Sequence, residues 1–555
     1  MLKKISIILI PLMGFSLDFS STNGYDIRTK YLKHPSAYIP SMCYTKTIDK
    51  NNKAHNPCFA CHVKNTPPNF VLNDDILQTA YLFPQPASVN PFKNLFKDFS
   101  KRVAQISDKE ILEYIDKSNY LDENGNIILA KKLANLPKEW DYDGDGKWSG
   151  YIPDCYFNFD KDGFDRDKKN KPTGWVAFAY MPFLGTFWPT NGSTDDVLIR
   201  LPKAFRTNTK DGEFNATIYK VNLAIVESLI KRADIPIPKV NEKKLGVDLD
   251  KDGKLSFATK IKYDWAPLKN RFMYYVGYAK KLQKEGKIHL AAGLYPEGTE
   301  FLHSVRYIRP LKNGEITLSN RMKELRYAKK LQWLNYATLK NKGLANYQEK
   351  DFSPDELEVF SGNIEIGIYN KLGWVYQGFI EDKNGNLRPQ SYEESLNCIG
   401  CHSGVGVITD STYAFPRKLN NYKYGWYHWS EKYLKNVPEF QYINKTYEYS
   451  NYLKLNNSGN EFRTNEEVIK KFFNSDGSIK QEAIEKLHKD VSYLLYPSYK
   501  RAIMLNKAYK ALVETQTFID GRVAHIKPLK NVYKEVPPEK KTGNKIYNPP
   551  PIMFK

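Results

Sequence analysis

Two short stretches carry the chemistry: Cys58-Phe59-Ala60-Cys61-His62 and Cys398-Ile399-Gly400-Cys401-His402. Each reads C-x-x-C-H. Two thiols three positions apart reach the two vinyl groups of one porphyrin and form thioethers. The next residue, histidine, then sits where its imidazole binds the iron axially. The spacing therefore predicts two covalently attached haem c groups, bonded to Cys58, Cys61, Cys398 and Cys401, with His62 and His402 as proximal iron ligands. The competing chemistry is zinc held by the four thiolates. It leaves the histidine after each pair without a task.

The second axial position of each iron separates an electron carrier, with both positions filled, from an enzyme with an open one. His303 is the first candidate for a distal ligand, because it lies in the apolar and aromatic run Phe301-Leu302-His303-Ser304-Val305-Arg306-Tyr307. His428 follows, 26 residues beyond His402, and then His55 and Met181. A core histidine satisfied by a hydrogen bond is the plainer account of His303, a surface histidine that of His55, and core packing that of Met181. Cys43 and Cys155 are the two thiols left over. In an oxidising compartment they are expected to pair, closing a loop of 112 residues. Chain entropy values such a bridge at about 4–5 kcal/mol. The sharper alternative makes one of them a thiolate ligand or a nucleophile.

A third pattern is acidic. Asp141, Asp143 and Asp145, followed by Gly146, have the spacing of the front half of a calcium loop. Asn158-Phe159-Asp160-Lys161-Asp162-Gly163 and Asp248-Leu249-Asp250-Lys251-Asp252-Gly253 repeat it. None has the glutamate that closes such a loop at its twelfth position; Ile152, Lys169 and Thr259 stand there. Asp154 or Asp165 would have to complete a Ca2+ site, and otherwise these are tight turns.

The elements that must position these residues read as α+β: helices and short strands or loops packed around two covalently bound haems, with much irregular structure. Prolines on both sides of the first motif place it in a loop. Ser107 and Glu110 form a capping box that starts one helix. Asn215 caps a second over about 215–232, with Ile218, Val221, Ile225 and Leu229 on one face. A strand is expected at 301–307, a basic helix at 320–340, a short helix from Ser353, and Gly-punctuated strands at 363–380 before an Asn384-Gly385 turn. Capping boxes at Thr464/Glu467 and Ser478/Gln481, and a helix over 497–516, make the C-terminal part helical. The divisions this implies are a signal peptide at 1–16, a first haem segment with Asp-rich turns at 17–170, a mixed middle region at 171–345, a second haem segment at 346–455, a helical region at 456–528 and a Pro-rich tail at 529–555.

Lys3-Lys4 and the apolar run Ile5–Phe15 read as a secretory signal, cleaved after Ser16. No cysteine precedes Cys43, which excludes a lipid anchor at that cleavage site. No later stretch is apolar enough to span a membrane. The expected location is the periplasm. The net charge of +21, or +19 once Lys3 and Lys4 are removed with the leader, favours redox partner proteins with acidic docking surfaces. No motif points to nucleic acid.

The two motifs resemble those of the c-type cytochromes, matching at Cys58, Cys61, His62, Cys398, Cys401 and His402. The resemblance implies haem c and a redox function, and it covers the motifs and their flanks only. The dihaem peroxidase group also carries two such motifs, but this chain departs from it in length and in motif separation. Segments such as 185–192 and Asp410-Ser411-Thr412 look like those of long exported dihaem proteins. The function expected on these grounds is electron transfer between redox partners by a periplasmic dihaem c-type cytochrome. The alternative is a dihaem redox enzyme, peroxidase-like or acting on a small anion, with one haem as relay and one as catalytic site.

Overall fold

The structure is a computed structural model that describes residues 27–28, 31–62, 68, 79–184, 192–404, 409–419, 425–442, 444–456 and 465–544. The expected signal peptide, the segment 185–191, Thr464 and the last prolines lie outside the described residues.

The fold is α+β. Its frame is one ten-stranded antiparallel sheet. Its strands are β1 (Phe164–Arg166), β2 (Pro172–Phe178), β3 (Thr194–Asp195), β4 (Val197–Arg200), β7 (Glu300–Pro310), β8 (Ile316–Lys330), β9 (Gly362–Asn363), β10 (Gly367–Tyr369), β11 (Trp374–Glu381) and β12 (Leu387–Pro389). They run in the order β1-β2-β4-β7-β8-β11-β10-β9, with β12 on β11 and β3 on β7. A separate two-stranded ribbon pairs β5 (Ile235–Asn241) with β6 (Phe257–Ile261). The large sheet thus draws strands from residues on both sides of positions 170 and 345.

Alternation along the strands buries both faces. On β2, Val176 and Phe178 join one core and Trp175 and Ala177 the other. The first core is covered by the helix Ala216–Lys231. Asn215 caps that helix by accepting from the Ile218 amide at 3.0 Å, and Ile218, Val221, Ile225 and Leu229 are all buried, as the periodicity predicts. The helix Asp108–Asp116 starts at Ser107, whose hydroxyl accepts from the Glu110 amide. It packs with the helix Tyr499–Thr515 against Tyr307 and Ile380. The C-terminal stretch is laid over the body: the Lys46 amide donates to the Asn531 carbonyl and the Tyr533 amide to that of Tyr44.

Three local expectations are corrected. The basic helix at 320–340 is instead the second half of the β7–β8 hairpin, and a helix begins only at Tyr336 (Tyr336–Phe352). Its charges are drawn into the sheet by partners far away in sequence: Arg321 pairs with Glu381 at 2.8 Å, and Glu324 accepts from Arg522 at 2.9 Å. Tertiary pairing outweighs helix propensity here. Ser353-Pro354 is a turn that ends the helix rather than starting one. The helix Gln481–Lys489 forms, but Lys480 is its N-cap and no side chain caps it.

One buried carboxylate gives the fold a pH dependence. Glu439 accepts from the Ser450 amide and hydroxyl at 2.6 and 3.1 Å. Burial raises its pKa from 4.5 to about 7, against the pull of those bonds. The folded state therefore holds a proton that the unfolded state releases between pH 4.5 and 7, and stability present below 4.5 is lost across that window. The difference is about 3 kcal/mol at 1.36 kcal/mol per unit. Denaturant unfolding of wild type and Glu439→Gln at several pH values should give curves that converge at low pH. The wild type should fall away toward pH 7; parallel curves would contradict the assignment.

Candidate functional site

The first motif sits on a single 3-10 turn, Pro57–Ala60, with proline at its start. Asn56 pins the entry. It is buried, accepts from the Thr47 amide at 2.7 Å and donates to Tyr81 Oη and the Thr542 carbonyl. Phe59 and Ala60 enter the core of the C-terminal helices. The Cys61 and His62 amides both donate to the Cys58 carbonyl, at 3.1 and 2.8 Å, which folds the motif back on itself. His62 is half-buried, and its Nδ1, shut off from solvent, has no hydrogen-bond partner among the described residues.

The second motif ends a helix, Tyr392–Ile399, capped by a reciprocal box between Ser391 and Glu394. Ser391-x-x-Glu394 is legible in the sequence, so this helix was there to be found. Gly400 follows. A Cβ there would lie 2.0 Å from the Tyr38 carbonyl oxygen, so the segment before Cys43 lies directly on the motif. The Lys33 and His34 amides both donate to Glu393 and hold that segment down.

His402 is held on every side. Its Nδ1 donates to the Ser411 carbonyl at 2.9 Å, which leaves Nε2 with its lone pair. Its ring stacks on Tyr376, with centroids 4.7 Å apart, and meets the edge of Tyr413 at 5.7 Å. Asn370 donates to the His402 carbonyl at 2.8 Å. Burial lowers both imidazoles to about 4, helped for His62 by Lys350 and opposed for His402 by Ser411. Each is neutral at pH 7, the form that binds a metal.

The two motifs, 340 residues apart in the chain, converge. Burial pushes the Cys61 thiol well up, and Cys401, Cys43 and Cys58 are near enough to push it further. Burial likewise takes Cys58 to about 12 and Cys401 to about 11, with Cys398 adding to the latter. Cys398, Cys401 and His402 line an empty space of about 1850 Å³, mouth included. Its walls are largely aromatic, including Tyr180, Phe183, Tyr376 and Tyr413. Glu324, Arg326 and Arg522 add charge. Burial raises Glu324, but Arg326 and Arg522 outweigh it and hold the carboxyl near 2.

His303 is in this cavity. It lies on β7 opposite Arg326 of β8 and acts electrostatically on both His402 and Glu324. His428 is not there. Its Nε2 is paired with the buried Asp196, its Nδ1 bonds Ser430 Oγ at 2.6 Å, and its ring stacks on Phe159. Both nitrogens are used, which corrects its reading as a distal ligand. His55 is paired with Asp49 at 2.8 Å, and Met181 is packed in the core of the C-terminal helices.

The expected Cys43–Cys155 disulfide is also corrected. All six cysteines are free. Cys43 is beside Cys58 and Cys401, while Cys155 is buried in a hydrophobic core near Asp165, Asp154 and Asp196. Sequence reasoning missed that Cys43 belongs to the site, since 15 residues separate it from Cys58 and no spacing rule covers it.

Asp141, Asp143 and Asp145 do converge, each offering an oxygen within 4.8 Å of the others. Their bonds within the loop are those of a tight turn: Asp141 accepts from the Gly144 and Gly146 amides. In the second loop Asp160 is taken by Arg166 at 2.6 Å. The third gains Glu242, which sequence reasoning missed, next to Asp248 and Asp250. Asp154 is bound by Arg200 and Trp175, and Asp165 by Thr173 and two backbone amides, so neither completes a loop. Among the described residues these carboxylate groups, and no set of thiols, come within metal-binding reach of one another. That weighs against the four-thiolate zinc reading.

A family model described as "-like lipoprotein" matches residues 27–489. An uncharacterized lipoprotein of Aquifex aeolicus (strain VF5) is 32% identical over 560 residues, covering 90% of this chain and 88% of that protein. No solved structure matches. These matches overturn the expected kinship with the c-type cytochromes. The family found is one of lipoproteins, and neither description names a cytochrome, a haem or an oxidoreductase.

Proposed function

The chain belongs to this lipoprotein family, and on that premise we propose that it is an exported protein that holds two covalently attached haems in one cavity and passes electrons between partner proteins in the periplasm. The export is the family's; the rest is carried by one observation, two complete C-x-x-C-H motifs whose thiols lie near one another, the second motif lining a cavity. No helix among the described residues is long and apolar enough to cross a membrane.

The residues present fit the group. Cys58 with Cys61, and Cys398 with Cys401, are the attachment thiols. His402 has its Nδ1 committed and its Nε2 available, and His62 is a half-buried neutral imidazole whose Nδ1 is shut off from solvent and unmet. Bound there, haem supplies a one-electron iron couple. The chain does the rest. Tyr376 and Tyr413 fix the His402 ring, the aromatic walls exclude water, and Arg326 and Arg522 bring positive charge to a site that receives carboxylates. Tyr413 touches both halves: its ring is against His402, and its hydroxyl is beside Cys61. The positive net charge suits acidic redox partners.

A second reading, a redox enzyme acting on a small anion, draws on the same cavity: it has an open mouth and cationic side chains in its wall. The protein purified after export decides both questions. A pyridine haemochrome assay and intact mass should give two haems per chain, and a chain without haem overturns the proposal. An EPR spectrum of the oxidised protein should show low-spin signals indifferent to cyanide. A high-spin, cyanide-binding signal would instead establish the enzyme reading.

A further inference from the structure

A buried ion pair stands behind His402. Lys330, the last residue of β8, donates through Nζ to Asp410 Oδ2, with side chains 1% and 3% exposed. Burial pushes the Asp410 carboxyl up and the Lys330 ammonium down, and each opposes the shift in the other. The same Asp410 oxygen accepts from the Tyr295 amide at 2.9 Å. Asp410 and Ser411 are the two central residues of a tight turn in which Thr409 and Thr412 exchange backbone hydrogen bonds of 3.0 and 3.1 Å. Both have left-handed backbones, with φ of 49° and 61°. Such a turn favours Asn and Gly; a serine in it persists only where the surroundings impose the conformation. The pair at Asp410 does so, while Tyr376 donates its hydroxyl to the Ser411 carbonyl at 2.7 Å. That carbonyl is the acceptor for His402 Nδ1.

We propose that the Lys330–Asp410 pair is the positioning device of His402: by fixing the Asp410-Ser411 turn it aims the Ser411 carbonyl at Nδ1, and so sets which ring nitrogen faces the cavity and how strongly it donates. The tautomer part holds for the chain by itself, and the donor-strength part rests on the haem reading above. A hydrogen bond from Nδ1 raises the basicity of the other nitrogen. Tyr376 and His402 share one carbonyl, so the ion pair, which holds the turn, and Tyr376, which competes for the acceptor, act with opposite sign. Loosening the turn weakens the Nδ1 bond, while removing the Tyr376 hydroxyl leaves the carbonyl to His402 alone.

The test compares Asp410→Asn, which tolerates the left-handed backbone and removes the charge, with Tyr376→Phe. With 9 histidines in the chain, selective 15N labelling can resolve the tautomer of His402 in the haem-free full-length chain. The wild type should be in the Nδ1–H form. Asp410→Asn should cut the Nδ1–H to Nε2–H ratio about tenfold, and Tyr376→Phe should leave it at least as high. In the haem-loaded chain one of two reduction steps should move, upward in Asp410→Asn and downward in Tyr376→Phe. A tenfold change in the oxidised-to-reduced ratio is about 59 mV for one electron. A merely structural role would shift both variants the same way or neither. An Nε2–H tautomer in the wild type, or two variants moving together, overturns the proposal. If Asp410→Asn does not fold, the wild-type tautomer and Tyr376→Phe still decide. A chain that takes up no haem defeats the reading above, while the tautomer measurement continues to judge this one.

Discussion

If the chain carries the two haems proposed above, replacing His303 with alanine is expected to open one of the two sites: one low-spin EPR signal is lost, a high-spin signal replaces it, and cyanide, expected to leave the wild type unchanged, binds that fraction. The expectation follows from placement. His303 is on the longest hairpin of the sheet, opposite Arg326, and lines the cavity that His402 also lines. The two imidazoles are near enough that charge on His303 lowers the pKa of His402. Burial already keeps His402 neutral, as an axial pair requires. Exogenous imidazole should restore the low-spin signal, because it refills the space that the substitution leaves. An unchanged spectrum in a folded variant would assign His303 to the wall and leave the distal position to another group.

The second large effect is one of stoichiometry. The double substitution Cys58→Ser/Cys61→Ser should lower covalent haem from two per chain to one, and Cys398→Ser/Cys401→Ser should do the same. All four together should give none. Intact mass and the pyridine haemochrome assay read this directly. The convergence of the motifs adds a sharper expectation: with Cys61 beside Cys401 and Tyr413 touching both halves, the Soret circular dichroism should carry a paired positive and negative lobe from two neighbouring chromophores. Either double variant should collapse it to a single lobe. Loss of both haems from one pair of substitutions, or a wild-type band that is the sum of the two variants, would contradict a shared cavity.

What the sequence discloses here is local. C-x-x-C-H is a contiguous motif with a chemical reason for each position, so Cys58 to His62 and Cys398 to His402 are legible. So are the helix capped by Asn215 and the hairpin turn at Asn384-Gly385, because their signals lie within a few residues. What decides the site is not local. Arg321, Glu324 and Lys330 read as a basic helix, and their conversion to a strand depends on Glu381, Arg522 and Asp410, all more than 50 residues away. His428 reads as the next candidate after His303 until Asp196, 232 residues earlier, claims its Nε2. Cys43 and Cys155 were paired by elimination, a rule that fails once Cys43 belongs to a cluster of five thiols. The family is a property of the whole chain, and ten motif residues do not reveal it.

The segment that lies across Gly400 has a consequence in time. Tyr38 to Pro40 belong to the part of the chain made first, and the motif beneath them is made about 360 residues later. At roughly 5–20 residues per second, that interval is about 18–72 s. Until the second motif arrives, the early segment has nothing to close on, and Cys58 and Cys61 stand open to whatever modifies them. Once it closes, the thiols of both motifs are buried together. If both motifs take up haem as proposed, the order of synthesis acts as a clock for this site: attachment at the first motif would have most of a minute, attachment at the second would compete with folding, and a sluggish supply of the cofactor would leave the C-terminal site, rather than the N-terminal one, unmodified.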